Sequence, residues 1–164
     1  MEQERYDLTG SLLRWYDYNK RILPWRENKD PYRIWVSEIM LQQTRVEAVK
    51  PYFDRFMEAF PEVQDLAEAD DERLMKMWEG LGYYNRARNL KAAARKIVNE
   101  YDGKIPGDYD ALLSLNGIGT YTAGAIGSIA FDLQVPAVDG NVMRVLSRLW
   151  GDDSDILKEK TKRE

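Results

Sequence analysis

Apolar residues recur along this chain at three- and four-residue intervals, in short segments stopped by Pro or Gly, and no pair of alternating segments offers a β-hairpin. That periodicity restricts the chain to helix packed on helix. Leu8, Leu12, Leu13 and Tyr16 mark a first amphipathic helix, stopped near Pro24. A second starts at about Tyr32, behind Pro31, and runs into the LQQT stretch. Pro51 opens a third, with Phe53, Phe56, Met57 and Phe60 inward, and Pro61 closes it. A fourth covers residues 70–79 and ends at Gly80 and Gly82. Residues 85–101 form a helix with Leu90, Ala94, Ile97 and Val98 inward and its cations outward. A short helix over 109–115, a Gly-rich turn and an Ala-rich helix over 121–131 follow. Asp139 precedes a last helix carrying Val142, Val145, Leu146 and Leu149, and the tail over 151–164 is polar and patternless. The expected class is all-α, with no repeat and no linker to divide it.

Composition removes most chemistries. The chain has 164 residues, enough for one domain with a real core, and neither cysteine nor histidine. Disulfides, thiolate nucleophiles and cysteine-held clusters are excluded for this chain, as is the commonest general base. Catalysis would rest on carboxylates, Tyr, Lys or a bound water; no metal site is expected. The absence of a long apolar run and the charged start MEQERYD point to a soluble intracellular protein. The net charge of −4 weighs against a nucleic-acid partner, but RARNLKAAARK concentrates five cations in eleven residues. A mixed charge map of this kind can hide a basic face.

Four stretches carry possible chemistry. In RIWVSEIMLQQTRVEAV, a helix turning about 100° per residue gathers Ile34, Trp35, Ile39, Val46 and Val49 into one sector, and Glu38 falls inside it. A carboxylate on an apolar face is costly unless paired, neutralised or used. Paired with Arg33 or Arg45 at the surface it would be an ordinary solvated residue; buried, it would have a raised pKa. In PAVDGNVMRVL, Asp139 stands just before a helix, either as a plain N-cap or as an anion kept ionised by the positive helix end, with Asn141 beside it. Two carboxylates whose environments push their pKa values apart suit an acid and an anion in glycosidic cleavage. LSLNGIGTYTAGAI is an ordinary αα-hairpin, or a helix–hairpin–helix whose Gly117 and Gly119 let backbone amides grip a phosphate. In GLGYYNRARNL an exposed Tyr at a turn could wedge into a base step, and Arg86, Arg88 and Lys91 could meet phosphates or merely line a solvated face.

Taken together, LPWR, DPYRIWVSEIMLQQTRVEAVKPYFDRF, WEGLGYYNRARNL, LNGIGTYTAGAI and VDGNVMRVLSR resemble the MutY-type adenine DNA glycosylases of the helix–hairpin–helix glycosylase superfamily. The resemblance implies excision of adenine mispaired with 8-oxoguanine or guanine in double-stranded DNA. It makes Glu38 the general acid at adenine N7 and Asp139 the carboxylate that stabilises the oxocarbenium-like sugar or bonds to it, supported by Tyr121 and Asn141. Arg26 and Leu41 would border the adenine pocket, Gln43 and Thr44 would contact or intercalate beside 8-oxoguanine, Gln42 would bind DNA next to them, Tyr83 would be a wedge, and Gly117 and Gly119 would hold the phosphate hairpin. Bifunctional relatives carry a Schiff-base lysine at the position of Tyr121; a tyrosine forms no imine, so strand cleavage is not expected. Asn116 departs from the proline usual before GIG.

The resemblance implies a catalytic region over 1–150, with a helical barrel and hairpin over 28–135 and parts of a second lobe over 1–27 and 136–150. Relatives often complete that lobe with helices ending in a four-cysteine iron–sulfur cluster and add a domain that reads 8-oxoguanine; the chain stops at Glu164 with no cysteine for such a cluster. The expectation is an incomplete second lobe, apolar surface on the first and last helices, weak stability or self-association, and no cofactor. A non-catalytic DNA-binding module and a thymine or uracil mismatch glycosylase of the same fold are the competing readings. The expected setting is the cytoplasm of a bacterial-type cell, on DNA.

Overall fold

The computed structural model describes residues 7–155, and among these it contains helices and turns but no strand. Residues 156–164 of the polar tail lie outside the described residues. Helix α1 (Leu8–Asn19) starts on Asp7, whose carboxylate accepts a hydrogen bond from the Gly10 amide. A single 3₁₀ turn, Pro24–Arg26, buries Trp25. Helix α2 (Pro31–Leu41) follows with proline in its first turn, where no amide is needed, and with the Asp30 carboxylate accepting from the Tyr32 and Arg33 amides. Then come α3 (Val46–Ala59), α4 (Val63–Glu68), α5 (Asp71–Trp78), α6 (Asn85–Glu100), α7 (Tyr109–Leu113), α8 (Thr120–Phe131) and α9 (Gly140–Trp150).

Three expectations need correction. The RIWVSEIMLQQTRVEAV stretch is two helices rather than one, because the chain leaves α2 at Gln42 and Gln43 adopts a left-handed φ of +58°. Val46 and Val49 therefore belong to α3. Pro51 does not open α3 but lies inside it, five residues after its first. Fully buried Val49 and half-buried Val46 commit the turn before Pro51 to helix, and their packing outweighs the proline's missing donor. Lys91, expected outward, is buried in α6 and ion-paired with Asp71 at the start of α5. The short α4, unseen in the pattern, is closed by reciprocal bonds between Glu62 and Asp65, a capping box built from two acids.

Helix α2 is the centre of the packing. It lies against α3, α6, α8 and the 3₁₀ turn, while α6 lies against α4 and α5. Every residue from Ile34 to Met40 is buried. Trp25, Trp35, Trp78, Phe53, Phe56 and Phe60 are all at most 1% exposed, so much of the aromatic content serves the core. Phe56 meets Phe60 and Trp78 edge-on, with ring centroids 5.0 Å and 6.0 Å apart. Helices α1 and α9, by contrast, bury no residue, and Trp15 and Trp150 are 61% and 69% exposed. The apolar surface expected on these two helices is present.

A single close backbone approach returns the end of the chain to the core. A Cβ on Gly124 of α8 would stand 2.1 Å from the backbone oxygen of Pro136, so glycine lets the segment before α9 lie directly on α8. That contact brings Asp139 back to the start of α8. Gly124→Ala must push the 135–137 backbone away, and overpacking of this kind costs about 1–3 kcal/mol. Chemical denaturation is expected to show a destabilisation of that order; an unchanged midpoint would mean that the segment is not held against α8.

Candidate active site

Glu38 lies within the fully buried run of α2 and is only 4% exposed. Its charged neighbour is Arg26 from the 3₁₀ turn, with Nη2 3.7 Å from Oε1. Arg33, one of the two partners open to it on sequence alone, instead donates to the Pro24 carbonyl at 3.1 Å. Burial pushes the Glu38 carboxyl above its ordinary pKa, and this outweighs the opposing pull of Arg26 and of the Tyr121 hydroxyl approaching it. Glu38 is thus a core carboxyl biased towards its protonated form.

Tyr121, in the first turn of α8, joins the two carboxylates electrostatically. Its hydroxyl is pushed up to about 12, first by burial and then by the negative charges of Glu38 and Asp139. It remains 38% exposed, so one side of the ring faces the outside of the cluster. Asp139 caps α9: Oδ1 accepts from the Asn141 and Val142 amides at 2.9 Å and 2.8 Å, and Oδ2 accepts from the Asn141 side chain at 2.9 Å. Partial burial works to raise its pKa, but these hydrogen bonds prevail and hold the carboxyl below its ordinary range. The Asn141 side chain is itself oriented by Arg144, whose Nη2 donates to Asn141 Oδ1 at 3.1 Å. An ionised carboxylate and a protonatable one therefore flank one tyrosine, with a cation behind.

The other sequence-derived positions divide into two groups. Gly117 has φ +78° in the turn between α7 and α8, and a Cβ there would stand 3.0 Å from the Cβ of Asn89. Gly119 is the residue before α8; no side chain caps that helix, so its first amides are offered to solvent or to a ligand. Leu41 is half-buried against the core. Gln42 and Gln43 line one cavity of about 500 Å³ together with Tyr83, Tyr84 and Arg88. Thr44 is held by its amide to the Leu41 carbonyl at 3.1 Å. Arg26, Glu38, Tyr121, Asp139 and Asn141 thus form one cluster, while Gln42, Gln43 and Tyr83 form a second at the end of α2.

Sequence reasoning misplaces Arg86. Its guanidinium does not project to solvent but reaches the carbonyls that end α2. The sequence does carry a signal: Arg86 shares the face of α6 that carries buried Leu90, Ala93 and Ile97, at four- and three-residue spacings. Among the described residues no group of three or more acids is placed to hold a metal ion. An iron–sulfur cluster takes cysteine thiolates, and this chain has none, so its residues do not fit that group.

Residues 36–164 match the family described as HhH-GPD superfamily base excision DNA repair protein. Among curated proteins, the chain is 51% identical to an adenine DNA glycosylase of Mus musculus over 85% of its length and 29% of the mouse protein. It is 42% identical to an adenine DNA glycosylase of Buchnera aphidicola subsp. Acyrthosiphon pisum over 95% of its length and 45% of that protein. The chain thus spans less than half the length of these relatives. Its fold superposes on a thermostable thymine-DNA glycosylase with a TM-score of 0.84 at 31% identity, covering 92% of this chain and 71% of the other. An endonuclease III in non-covalent complex with DNA gives 0.75 at 27% identity, covering 93% and 73%. The family match over most of the chain, the identity to these relatives and the all-helical fold of the described residues agree: the chain belongs to the HhH-GPD superfamily of base excision DNA repair proteins.

Proposed function

We propose that this chain carries the catalytic chemistry of an adenine DNA glycosylase: it hydrolyses the N-glycosidic bond of an adenine mispaired with 8-oxoguanine or guanine in duplex DNA, without cutting the strand. The observation that carries the reading is the pairing of a buried, pKa-raised Glu38 with a capped, pKa-lowered Asp139 across Tyr121. The 40–51% identity to adenine DNA glycosylases supports adenine as the base. The target nucleotide is flipped out of the stack to reach such a site. Protonated Glu38 gives its proton to N7 of the base, the bond from C1′ to N9 breaks, and adenine leaves as a neutral molecule carrying that proton. The electron-deficient sugar faces the Asp139 carboxylate, and a water adds its oxygen to C1′ while its proton returns the acid. Tyr121 orients Glu38 and cannot form the imine that strand cleavage through a lysine requires. The uncapped start of α8, behind Gly117 and Gly119, is suited to a backbone phosphate. Such a function sets the protein on DNA in the cytoplasm.

Single-turnover incubation tests this directly. Base release is expected from A:8-oxoguanine and A:G duplexes, with no strand scission before alkali. Release from T:G duplexes instead would favour the thymine reading, and release from none would leave only a DNA-binding module. Glu38→Gln, which keeps shape but has no proton to give, is expected to lower the rate by about 10²–10⁴, the usual worth of a general acid.

Protonation sets two further expectations. Catalysis requires Glu38 protonated and Asp139 ionised, so the single-turnover rate is expected to be bell-shaped. Its alkaline limb falls as pH rises through the raised Glu38 pKa, and its acid limb falls as pH drops through the lowered Asp139 pKa. Stability follows the same sign. Below the ordinary glutamate pKa Glu38 is protonated in both folded and unfolded chains and costs nothing extra; as pH rises through its raised folded value, ionisation of the buried group costs stability. Glu38→Gln should therefore melt higher than the wild type near neutral pH and equal to it in acid. Equal melting at both pH values would contradict a raised Glu38 pKa.

The exposed apolar faces of α1 and α9, with Leu12, Leu13 and Trp15 on one and Val145, Leu149 and Trp150 on the other, lead us to expect that this chain pairs with a second copy. Light scattering should report a mass above the 19.2 kDa monomer. A monodisperse monomer across the concentration range would refute self-association.

A further inference from the structure

Two turns far apart in sequence meet at one guanidinium. The first leaves α2 through Gln42 to Arg45, and the second leaves α5 through Glu79 to Tyr84. Arg86 stands between them in the first turn of α6. Its Nη1 lies 3.0, 2.9 and 2.6 Å from the carbonyl oxygens of Ile39, Met40 and Gln42. Its Nη2 lies 3.0 and 3.3 Å from those of Leu81 and Gly82, and 3.4 Å from the Thr44 hydroxyl. The guanidinium carbon stands 5.5 Å from the centroids of both the Trp78 and the Tyr83 rings. Trp78 donates its indole N–H to the same Gly82 carbonyl at 3.1 Å.

The turns so joined are strained in the same way. Gln43 has φ +58° and Tyr83 has φ +47°, left-handed values that cost a residue with a Cβ and persist only where the surroundings over-determine them. Both side chains are exposed, and both line the cavity of about 500 Å³ between the turns. A cap for α2 would need only the Nη1 side of the fork. The Nη2 contacts to the Leu81 and Gly82 carbonyls and the contact with the Tyr83 ring serve the other turn, Nη2 also reaches Thr44 of the first, and the planar fork is what lets one residue serve both.

We infer that Arg86 is a positioning residue for DNA: it holds the Gln43 and Tyr83 turns at a fixed spacing, so that the two strained side chains meet the duplex together. This rests on the glycosylase reading above for the identity of the ligand, and on the hydrogen-bond geometry alone for the tie itself. A lysine in its place keeps the charge but presents its donors from one point, so it can serve one turn or the other and not both.

The test uses Arg86→Lys in the full chain, with two measurements. Hydrogen exchange should show the amides of both turns, 42–45 and 79–84, loosening together, while α4 and α7 keep their protection. Fluorescence anisotropy should show the preference for an A:8-oxoguanine duplex over the fully paired duplex falling by about tenfold, the order expected when one charged hydrogen-bonding tie is lost. A merely structural arginine would lower the folded fraction and weaken both affinities equally, leaving that ratio unchanged. An unchanged ratio, or loosening confined to one turn, overturns the inference. Should Arg86→Lys fail to fold alone, it is combined with Gln43→Gly and Tyr83→Gly, which remove the left-handed penalty. Recovery of a cooperative melt supports the tie, and no recovery overturns it. A wild-type chain that releases no base from A:8-oxoguanine or A:G duplexes would instead sink the glycosylase reading, while the exchange data still judge the tie.

Discussion

A helix buried along most of its length leaves its terminal amides and carbonyls little access to water, so protein groups must satisfy them. Helix α2 imposes that constraint here, since Ile34 to Met40 are all covered. At its start Asp30 accepts from two amides, and at its end Arg86 takes the carbonyls that have no intrahelical partner. Breaking either arrangement would leave half-buried polar groups without partners, and an unsatisfied buried group costs about 1–3 kcal/mol. The surrounding helices, α3, α6 and α8, are packed on the helix that these two residues terminate.

The same burial gives the site its chemistry. Glu38 takes part in the apolar face of α2, so its charged form is disfavoured and its pKa is raised. Asp139 is the opposite case: it stands at a helix start with three donors on its oxygens and stays ionised. The difference between the two carboxyls is therefore one of environment and not of kind. Gly124 makes the environment common to both, because only a residue without a Cβ lets the 135–137 segment fold back on α8 and bring Asp139 to Tyr121.

Much of this architecture is legible in the sequence. Glu38 stands out as a carboxylate on an apolar stripe, Asp139 as a cap and the NGIG turn as a helix junction, because each depends on residues within one turn of helix. The misreadings share a cause as well. Pro51 reads as a helix start although Val46 and Val49 already commit the chain to helix, and their commitment comes from burial against other elements. Arg86 and Lys91 read as surface cations because their side-chain length allows it; their partners lie at Ile39 to Gln42 and at Asp71, distant in sequence. For Arg86 the face shared with Leu90 and Ile97 argues for burial, by the same reasoning that singles out Glu38.

By itself the sequence determined the all-helical class, most helix ends and the two suspicious carboxylates, since periodicity, capping and turn chemistry act within a few residues. Only the tertiary structure decided that Arg26 rather than Arg33 stands beside Glu38, that Tyr121 links it to Asp139, and that Arg86 ties the Gln43 and Tyr83 turns. Those decisions are set by which helix covers which, and by where a glycine allows two backbones to touch. Hydrogen bonds and desolvation act through space over a few ångströms, so their partners are chosen by packing and not by order along the chain.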